Sequence, residues 1–301
     1  MTSSLLITGA SGFIGSKLNQ DCKSLGINTT TLDISGEPEI ISDISSINWQ
    51  EIDLRNFDYV VHLAALTSVQ DSINYPEEYF EVNSYSSRRL FEACAKNKVK
   101  KVIFASSAAV YGDSPEKIKR IGEEGPPSSP YAESKILAEK FAEEFASPET
   151  NFTCLRFFNV YGPNQREMNN YAAVIPSFIN RISRGERVEI FGDGEQTRDF
   201  IHVDDVSRSI INSFRKELPF FAIMNIGSGE GTRIKNLAAM ISNIYSTFNC
   251  ESKPVFFRPA RSGDVLHSVA DVSDLSTLIL PDPLIRMEDG LKDIIERTLD
   301  E

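Results

Sequence analysis

Tyrosine and lysine stand four residues apart at Tyr131 and Lys135, within the segment Ser-Pro-Tyr-Ala-Glu-Ser-Lys at positions 129–135. On a helix this spacing puts both side chains on one face. A nearby cation favours phenolate over phenol, so Lys135 is expected to lower the pKa of Tyr131 and make it a usable acid and base near neutral pH. Because pairs at this spacing also occur on ordinary solvated helix faces, the interpretation depends on the elements around the pair.

The helix that must present this pair has a clear predicted start. Pro130 suits the first helical position, and Ser129 suits the cap before it. Leu137, Phe141 and Phe145 then recur every four residues, which is typical of a helix. The segment therefore predicts a helix that holds a phenol and an ammonium side by side near its first turn.

Composition restricts the kinds of partner. The chain has 301 residues, of which 41% are hydrophobic, and a formal net charge of −12. This charge argues against nucleic acid and against an anionic membrane surface as the main partner. The cysteines are scattered without metal-ligand or redox spacing, and the sequence has neither a secretory leader pattern nor an apolar stretch of membrane-spanning length. We therefore expect a cytoplasmic protein with reduced thiols and no metal site.

A glycine-rich turn follows the first apolar run. The run Leu5–Thr8 is predicted to be a buried strand, and the stretch 16–25 is predicted to be a helix. Between them, glycines let backbone amides approach a pyrophosphate closely, and the helix N-terminus stabilises its charge. A turn in this position predicts a dinucleotide site. The residues expected to contact the cofactor here are Gly9, Gly12, Phe13, Ile14 and Gly15.

An acidic residue ends the next predicted strand. Asp33 lies 18 residues past Gly15, where a carboxylate can accept hydrogen bonds from the adenosine ribose hydroxyls and would repel a 2′-phosphate. Ile34 and Ser35 provide no arginine to offset that repulsion. The expected cofactor is therefore NAD rather than NADP.

More cofactor contacts are expected between this aspartate and the catalytic helix. The run 59–65 is predicted to be a buried strand whose small final residues leave room for a cofactor backbone, and 79–98 is predicted to be a helix. An aspartate beyond the second strand is placed near the adenine amino group. The further residues expected at the cofactor are Asp43, Ile44, Leu63, Ala64, Ala65 and Asn83.

The order of elements predicts the fold class. A further strand at 102–105 delivers Ser106 and Ser107 at its carboxyl end, where ligands bind in parallel sheets. Strands that alternate with helices imply a parallel sheet with right-handed crossovers. We expect an α/β protein with a doubly wound parallel sheet of the Rossmann type, followed by a smaller C-terminal α/β domain.

Arginines become frequent beyond Pro163, and Arg198, Arg258 and Arg261 are examples. In an acidic protein, arginines gathered after the nucleotide-binding half suggest a second anionic ligand such as a diphosphate. Each arginine taken singly is better explained as a member of a surface ion pair.

The chain resembles the extended short-chain dehydrogenase/reductase family, and within it the NAD-dependent nucleotide-sugar 4-epimerases of the UDP-N-acetylglucosamine 4-epimerase type. The resemblance extends from about Leu5 to Asp274. The motifs that support it, in order, are Thr-Gly-Ala-Ser-Gly-Phe-Ile-Gly at 8–15, His-Leu-Ala-Ala at 62–65, Ser-Ser-Ala-Ala-Val-Tyr-Gly at 106–112, Pro-Tyr-Ala-Glu-Ser-Lys at 130–135, Arg-Phe-Phe-Asn-Val-Tyr-Gly-Pro at 156–163 and Arg-Asp-Phe-Ile-His-Val-Asp-Asp at 198–205.

The resemblance implies roles for the catalytic residues and a division into domains. Tyr131 would be the acid and base, Lys135 would bond the nicotinamide ribose, and Ser107 would hydrogen-bond the reacting sugar hydroxyl. The NAD-binding domain would cover 1–163, and 164–301 would mostly bind the nucleotide sugar. Segments near 200–226 and 265–275 would return to the first domain.

The substrate contacts are likewise implied by the resemblance. Asn159 would meet the sugar diphosphate, Arg198 and Arg261 would clamp the diphosphate, and Asp264 would hold the ribose of the substrate nucleotide. Ser268 falls where related epimerases line the sugar pocket, and a small residue there leaves room for a 2-acetamido group. The alternative for Ser268 is a small packing residue.

Dehydratases of this family carry an Asp-Glu pair where this chain has Ala108 and Ala109, which argues against dehydration. The resemblance also implies a homodimer, in which helices around 80–98 and 131–146 form a four-helix bundle. The intramolecular core is the alternative location for the aromatic residues of the second helix.

These observations predict an isomerase that inverts C4 of a UDP-hexose, UDP-N-acetylglucosamine or UDP-N-acetylgalactosamine, through a 4-keto intermediate. The alternatives are a UDP-glucose or UDP-glucuronate 4-epimerase and an NAD(P)H-dependent 4-keto nucleotide-sugar reductase. A non-catalytic NAD-binding sensor or scaffold is the alternative from another class of protein.

Overall fold

The computed structural model describes residues 4–165, 173–250, 252–260, 265–278 and 283–300. Its strands, in chain order, are β1 (Ser4–Thr8), β2 (Asn28–Asp33), β3 (Ile40–Ile41), β4 (Tyr59–His62), β5 (Lys101–Ser107), β6 (Ile118–Lys119), β7 (Asn151–Phe157), β8 (Asn159–Tyr161), β9 (Glu189–Phe191), β10 (Thr197–His202), β11 (Phe221–Ile226), β12 (Gly231–Arg233), β13 (Phe256–Arg258) and β14 (His267–Ala270).

The α-helices, in chain order, are α1 (Phe13–Ser24), α2 (Val69–Asn74), α3 (Pro76–Phe80), α4 (Ser86–Lys96), α5 (Pro130–Phe145), α6 (Val174–Ser183), α7 (Val203–Arg215), α8 (Ile234–Thr247), α9 (Ser273–Leu278) and α10 (Met287–Asp300). Short 3₁₀ helices cover Leu54–Asn56 and Ala108–Tyr111, and a π-helical turn covers Glu81–Tyr85. In the part of the chain that the structure describes, no helix has both the length and the apolar character needed to cross a membrane.

Parallel strands form the large sheet, in the order β11-β7-β5-β4-β1-β2-β3. In β1, side chains alternate between two apolar cores: Leu5 and Ile7 belong to one, and Leu6 belongs to the other. Because both faces are covered, the strand reads as a continuous apolar run. The predicted α/β class with a doubly wound parallel sheet is confirmed.

Helices cover both faces of this sheet. On one face α1 packs against α7, and Leu18, Val206 and Ile210 fill the interface with the strands. On the other face α4 packs against α5, with Phe91 and Ala138 among the buried contacts. The catalytic helix predicted from the sequence, α5, thus lies directly on the sheet.

The helix predicted at 79–98 is wrong in detail. The segment consists of α3, the π-helical turn at 81–85 and α4. The π-helical turn includes Asn83, whose side-chain amide bonds both backbone groups of Leu66 on a neighbouring loop. The predicted helix at 16–25 also begins earlier, at Phe13, because Gly12 serves as its cap residue.

A smaller mixed sheet stands beside the large one, in the order β12-β10-β14-β6, and β8 pairs with β10. It combines β6, which precedes the catalytic helix, with strands from the second half of the chain. The segment near 265–275 enters this sheet through β14, whereas β11 joins the large sheet. The domain boundary at 163 remains a prediction.

A further core lies between α6, α8 and α10.

Candidate active site

Helix α5 places Tyr131 and Lys135 against the carboxyl end of β5. The Ser129 hydroxyl accepts a hydrogen bond from the Ala132 amide at 3.2 Å, which caps the helix as predicted. Tyr131 is 7% exposed and Lys135 is 3% exposed. The Lys135 ammonium donates to the Ala105 carbonyl at 2.9 Å, so the two side chains are buried rather than solvated.

Ser107 joins this pair from the end of β5. Its hydroxyl accepts from the Ala109 amide at 3.2 Å, which caps the following 3₁₀ helix, and it also hydrogen-bonds the Tyr131 phenol. The structure thus brings together the three residues that the sequence nominates for catalysis.

The sequence predicts that Lys135 lowers the pKa of Tyr131. In the folded chain without cofactor this prediction is wrong. Burial raises the pKa of Tyr131, and the hydrogen bond from Ser107 only partly opposes this. Burial also lowers the pKa of Lys135 to about 7. Desolvation disfavours the charged form of both groups, and this term depends on tertiary packing that helix spacing does not reveal.

Tyr79 is a neighbour of this site that sequence reasoning missed. Its ring meets the Tyr131 ring edge to face, with centroids 6.3 Å apart and planes at 89°, and it hydrogen-bonds Ser68. Tyr79 is buried, so it forms a wall that restricts the Tyr131 ring. Its only sequence signal is an aromatic residue at the start of the segment around Asn83.

The glycine turn is packed too tightly for side chains. A Cβ atom on Gly9, which has a φ of +71°, would lie 2.6 Å from the Ala64 amide nitrogen, and one on Gly15 would lie 2.1 Å from the Gly9 carbonyl oxygen. Gly12 caps α1 without a side-chain hydrogen bond, and Phe13 begins the helix. A turn of this kind lets backbone and helix dipole face an anion.

Asp33 connects the second strand to that turn. Its carboxylate accepts hydrogen bonds from the backbone amides of Ser11 at 2.9 Å, Ile34 at 2.7 Å and Ser35 at 3.2 Å. A carboxylate has about four acceptor positions, so capacity remains for a ribose hydroxyl. The close glycine turn and this carboxylate at the strand ends fit NAD.

The segment after β4 forms the wall of this predicted cofactor site. Leu63, Ala64 and Ala65 are half-buried, and Leu63 and Ile14 pack against the same core. The preceding His62 is held between the Thr8 and Ser87 hydroxyls, at 2.7 and 2.9 Å. Burial, reinforced by Lys135, lowers its pKa to about 3, so this imidazole is neutral.

Two residues predicted to contact the cofactor have partners within the chain. The Asn83 amide bonds Leu66 and the Ser134 hydroxyl and is fully buried, so its place is to hold the loop after β4. The Ile44 side chain belongs to the apolar core, and its cofactor contact remains a prediction. Asp43 is exposed and accepts from the Ser45 amide at 2.8 Å; its adenine contact remains a prediction.

The predicted substrate residues approach one another around β10. Arg198 pairs in register with Ser268 of β14, and the Asn159 amide donates to the Asp199 carbonyl at 2.7 Å. Arg261 and Asp264 lie outside the described residues.

Asp199 links these elements and was not predicted. Its buried carboxylate accepts from the amides of Ser228 at 2.6 Å, Gly229 at 2.9 Å and Ala270 at 3.0 Å, and from the Ser228 hydroxyl at 2.7 Å. Burial raises the pKa of Asp199 despite these bonds. Its position directly after Arg198 in the Arg-Asp-Phe-Ile-His motif is the signal that could have identified it.

Sequence comparison identifies similar proteins. The pattern of the NAD dependent epimerase/dehydratase family matches residues 5–227. A curated relative, the UDP-N-acetyl-alpha-D-glucosaminuronate decarboxylase of Bacillus cytotoxicus, is 30% identical, and the match covers 97% of this chain and 96% of that protein.

Solved structures give the same result. The UDP-N-acetylglucosamine 4-epimerase of Methanobrevibacter ruminantium, solved with UDP-N-acetylmuramic acid, is 34% identical with a TM-score of 0.89, and covers 100% of this chain and 99% of its own. MoeE5, solved with UDP-glucuronic acid and NAD, is 34% identical with a TM-score of 0.88, and the match covers 99% of each chain.

Proposed function

This chain belongs to the NAD-dependent epimerase/dehydratase family of enzymes, and on that premise we propose that it inverts C4 of a UDP-hexose through a 4-keto intermediate. The proposed substrates are UDP-N-acetylglucosamine and UDP-N-acetylgalactosamine. The observation that best supports an oxidation at a sugar hydroxyl is the grouping of Ser107, Tyr131 and Lys135 at the carboxyl edge of the sheet.

Tyr131 is proposed to take the proton from the sugar 4-hydroxyl and to return it in the second half of the reaction. Ser107 hydrogen-bonds the same phenol, so it can share that proton and hold the hydroxyl in line. Bound NAD would supply the acceptor and donor of hydride at C4, with a positive charge that favours the phenolate. Lys135, fixed to the Ala105 carbonyl, would bond the nicotinamide ribose with its remaining donors.

Arginine side chains are proposed to keep the diphosphate in place while the 4-keto sugar turns and presents its other face. Arg198 is on β10, and Arg261 is assigned the same task by family resemblance. Asn159 would orient the sugar diphosphate, and Asp264 would hold the ribose of the nucleotide. A clamp on the diphosphate leaves the hexose free to rotate, which inversion at C4 requires.

The sugar is the finer part of the proposal. Ser268 is paired in register with Arg198, so a small side chain stands beside a proposed diphosphate ligand. This arrangement favours an acetamido sugar, and the related 4-epimerase for UDP-N-acetylglucosamine supports it. A UDP-uronic acid is the competing substrate, favoured by the similarity to a uronate decarboxylase and to a structure that contains UDP-glucuronic acid.

The proposed assembly is a homodimer through α4 and α5. Tyr85 is 46% exposed on this side, and the Arg88 guanidinium lies 5.3 and 5.6 Å from the ring centroids of Phe141 and Phe145. A face with exposed aromatic surface under a cation suits a helical interface.

The test offers UDP-N-acetylglucosamine, UDP-N-acetylgalactosamine, UDP-glucose and UDP-glucuronic acid separately, without added cofactor, and follows the products by NMR. Interconversion of the two acetamido sugars is the expected result. A requirement for stoichiometric NAD(P)H would identify a reductase instead of an epimerase. Loss of carbon dioxide from the uronate would indicate a decarboxylase. No turnover with any sugar would favour a non-catalytic NAD-binding protein.

A further inference from the structure

A buried ion pair lies directly behind the reactive residues. Glu139 is one helical turn after Lys135 on α5 and is 5% exposed. Both of its carboxylate oxygens are bound by Arg156, whose Nε donates at 2.9 Å and whose Nη2 donates at 2.8 Å. Bidentate pairing of this kind fixes the carboxylate in orientation as well as position.

The same carboxylate reaches the catalytic strand. The Ser106 hydroxyl donates to Oε1 of Glu139 at 2.5 Å, and Ser106 directly precedes Ser107 on β5. Glu139 therefore bonds β5, which ends at the site, and it lies on α5 together with Tyr131 and Lys135.

Arg156 is itself fully engaged. It is buried on β7, it forms a second ion pair with Glu124, and its guanidinium lies 4.9 Å from the centroid of the Tyr111 ring. Burial opposes the charge of this arginine, but its bonds to Glu139 raise the pKa of Arg156 above the usual value. The guanidinium is thus held between two carboxylates and an aromatic ring.

We infer that Glu139 is a positioning residue that keeps Lys135 cationic and fixes the end of β5 from behind the reactive face. Lys135 has an i,i+4 relationship to this carboxylate, so the two side chains lie on the same side of α5. This inference rests on the proposed role of Lys135. Glu139 acts through that lysine and does not contact the substrate.

The groups packed around Lys135 make Glu139 the anion that acts on it. From β5, Lys135 meets the Ala105 carbonyl and the Phe104 ring, whose centroid is 4.9 Å away. From β7, the thiol of Cys154 stays neutral because burial raises its pKa, and the Arg156 cation directs its donors at Glu139. From β4 comes His62, whose pKa is too low for it to be charged.

Within α5, Tyr131 is protonated, since burial raises its pKa, so Glu139 supplies the negative charge. Burial lowers the pKa of Lys135, and Glu139 is the main group that opposes this change. Removal of the carboxylate charge should therefore leave the lysine neutral over a wider range of pH.

Unfolding equilibria test this charge coupling without substrate. A lysine whose pKa is lower in the folded than in the unfolded chain releases its proton first in the folded chain, so stability rises with pH between the two pKa values. Lys135→Met removes that rise. The difference in unfolding free energy between chains with Lys135 and with Met at 135 therefore begins to change near pH 7.

The experiment repeats this comparison in the full chain with Glu139→Gln, and with Glu143→Gln as the matched control at an exposed position one turn further along α5. Bound nucleotide is quantified in every variant. In the Glu139→Gln background the onset should move to lower pH by about one unit or more, and in the control background it should stay. An unchanged onset with Glu139→Gln would overturn the inference.

A second variant covers the case in which Glu139→Gln fails to fold. Glu139→Leu combined with Arg156→Met replaces the buried pair by apolar side chains, which proteins often tolerate. Its reference is Arg156→Met alone, because the two chains then differ in the carboxylate and not in the arginine, and the onset should lie at lower pH in the double variant. An onset that is the same in these two chains also overturns the inference.

Activity provides a separate readout. With Glu139→Gln, the alkaline decline of kcat/KM should begin at a pH lower by about one unit or more. At pH values above that decline, kcat/KM should then be about tenfold lower than in the original chain. Glu139→Asp retains the charge and should restore the original pH of the decline. If no UDP-sugar is turned over, the proposed function fails while the unfolding comparison still decides the inference.

Discussion

The Lys135 ammonium donates a hydrogen bond to the Ala105 carbonyl across 2.9 Å, and this bond fastens α5 to the strand that ends at Ser107. Two elements that are distant along the chain are thereby held in one geometry at the carboxyl edge of the sheet. The phenol of Tyr131, one helical turn away, is positioned by the same contact. Loss of the bond should disturb Ser107, Tyr131 and Lys135 together.

Asp33→Asn should weaken NAD binding by about tenfold or more, because a carboxylate forms stronger hydrogen bonds to hydroxyls than an amide does. The repulsion of a 2′-phosphate should fall at the same time, so NADP should bind better than it does to the original chain. Calorimetric titration of both cofactors measures these changes. Glu37→Gln, an exposed acid nearby, is the matched control, and a similar change in that variant would contradict the assignment.

The start of α5 and the glycine turn are accessible from the sequence because their signals are local. Ser129 and Pro130 mark the cap and first position of the helix, and the observed helix begins there. The electrostatics of the site are not accessible in this way, since burial rather than helix spacing sets the pKa of Tyr131. Pairing of β14 with β6 likewise depends on contacts between distant segments.

Ser268→Tyr should suppress turnover of UDP-N-acetylhexosamines and spare UDP-glucose and UDP-galactose, because a phenol ring would occupy the space proposed for the acetamido group. The ratio of kcat/KM between the two substrate classes measures the effect. Ser268→Ala, which keeps the space, should preserve both activities. Equal losses on both classes with the tyrosine variant would mean that this position does not select the sugar.

Asp199→Asn should raise KM for the UDP-sugar and lower the unfolding free energy by about 1–3 kcal/mol, since an amide cannot accept all of the hydrogen bonds that the buried carboxylate accepts. The strands that carry Arg198 and Ser268 would lose their common anchor. Steady-state kinetics and denaturant titration check both effects. Asp113→Asn, at an exposed position, is the control. An unchanged KM with Asp199→Asn would contradict the proposal that Asp199 supports the strands that carry Arg198 and Ser268.

Phe141→Glu should convert the proposed homodimer to a monomer, because it introduces a charge into the aromatic face of α5. Light scattering or sedimentation gives the mass of both forms. Glu144→Gln, on the same helix, is expected to leave the mass unchanged. A monomeric mass for the original chain would contradict the proposed assembly.

Tyr131→Phe removes the one oxygen atom to which proton transfer is assigned and keeps the ring in place. Turnover of UDP-N-acetylglucosamine should fall by about 10²–10⁴-fold while the protein retains its NAD, and Tyr75→Phe at an exposed position should leave turnover unchanged. Turnover close to that of the original chain in the Tyr131→Phe variant would contradict the assignment of this phenol as the acid and base.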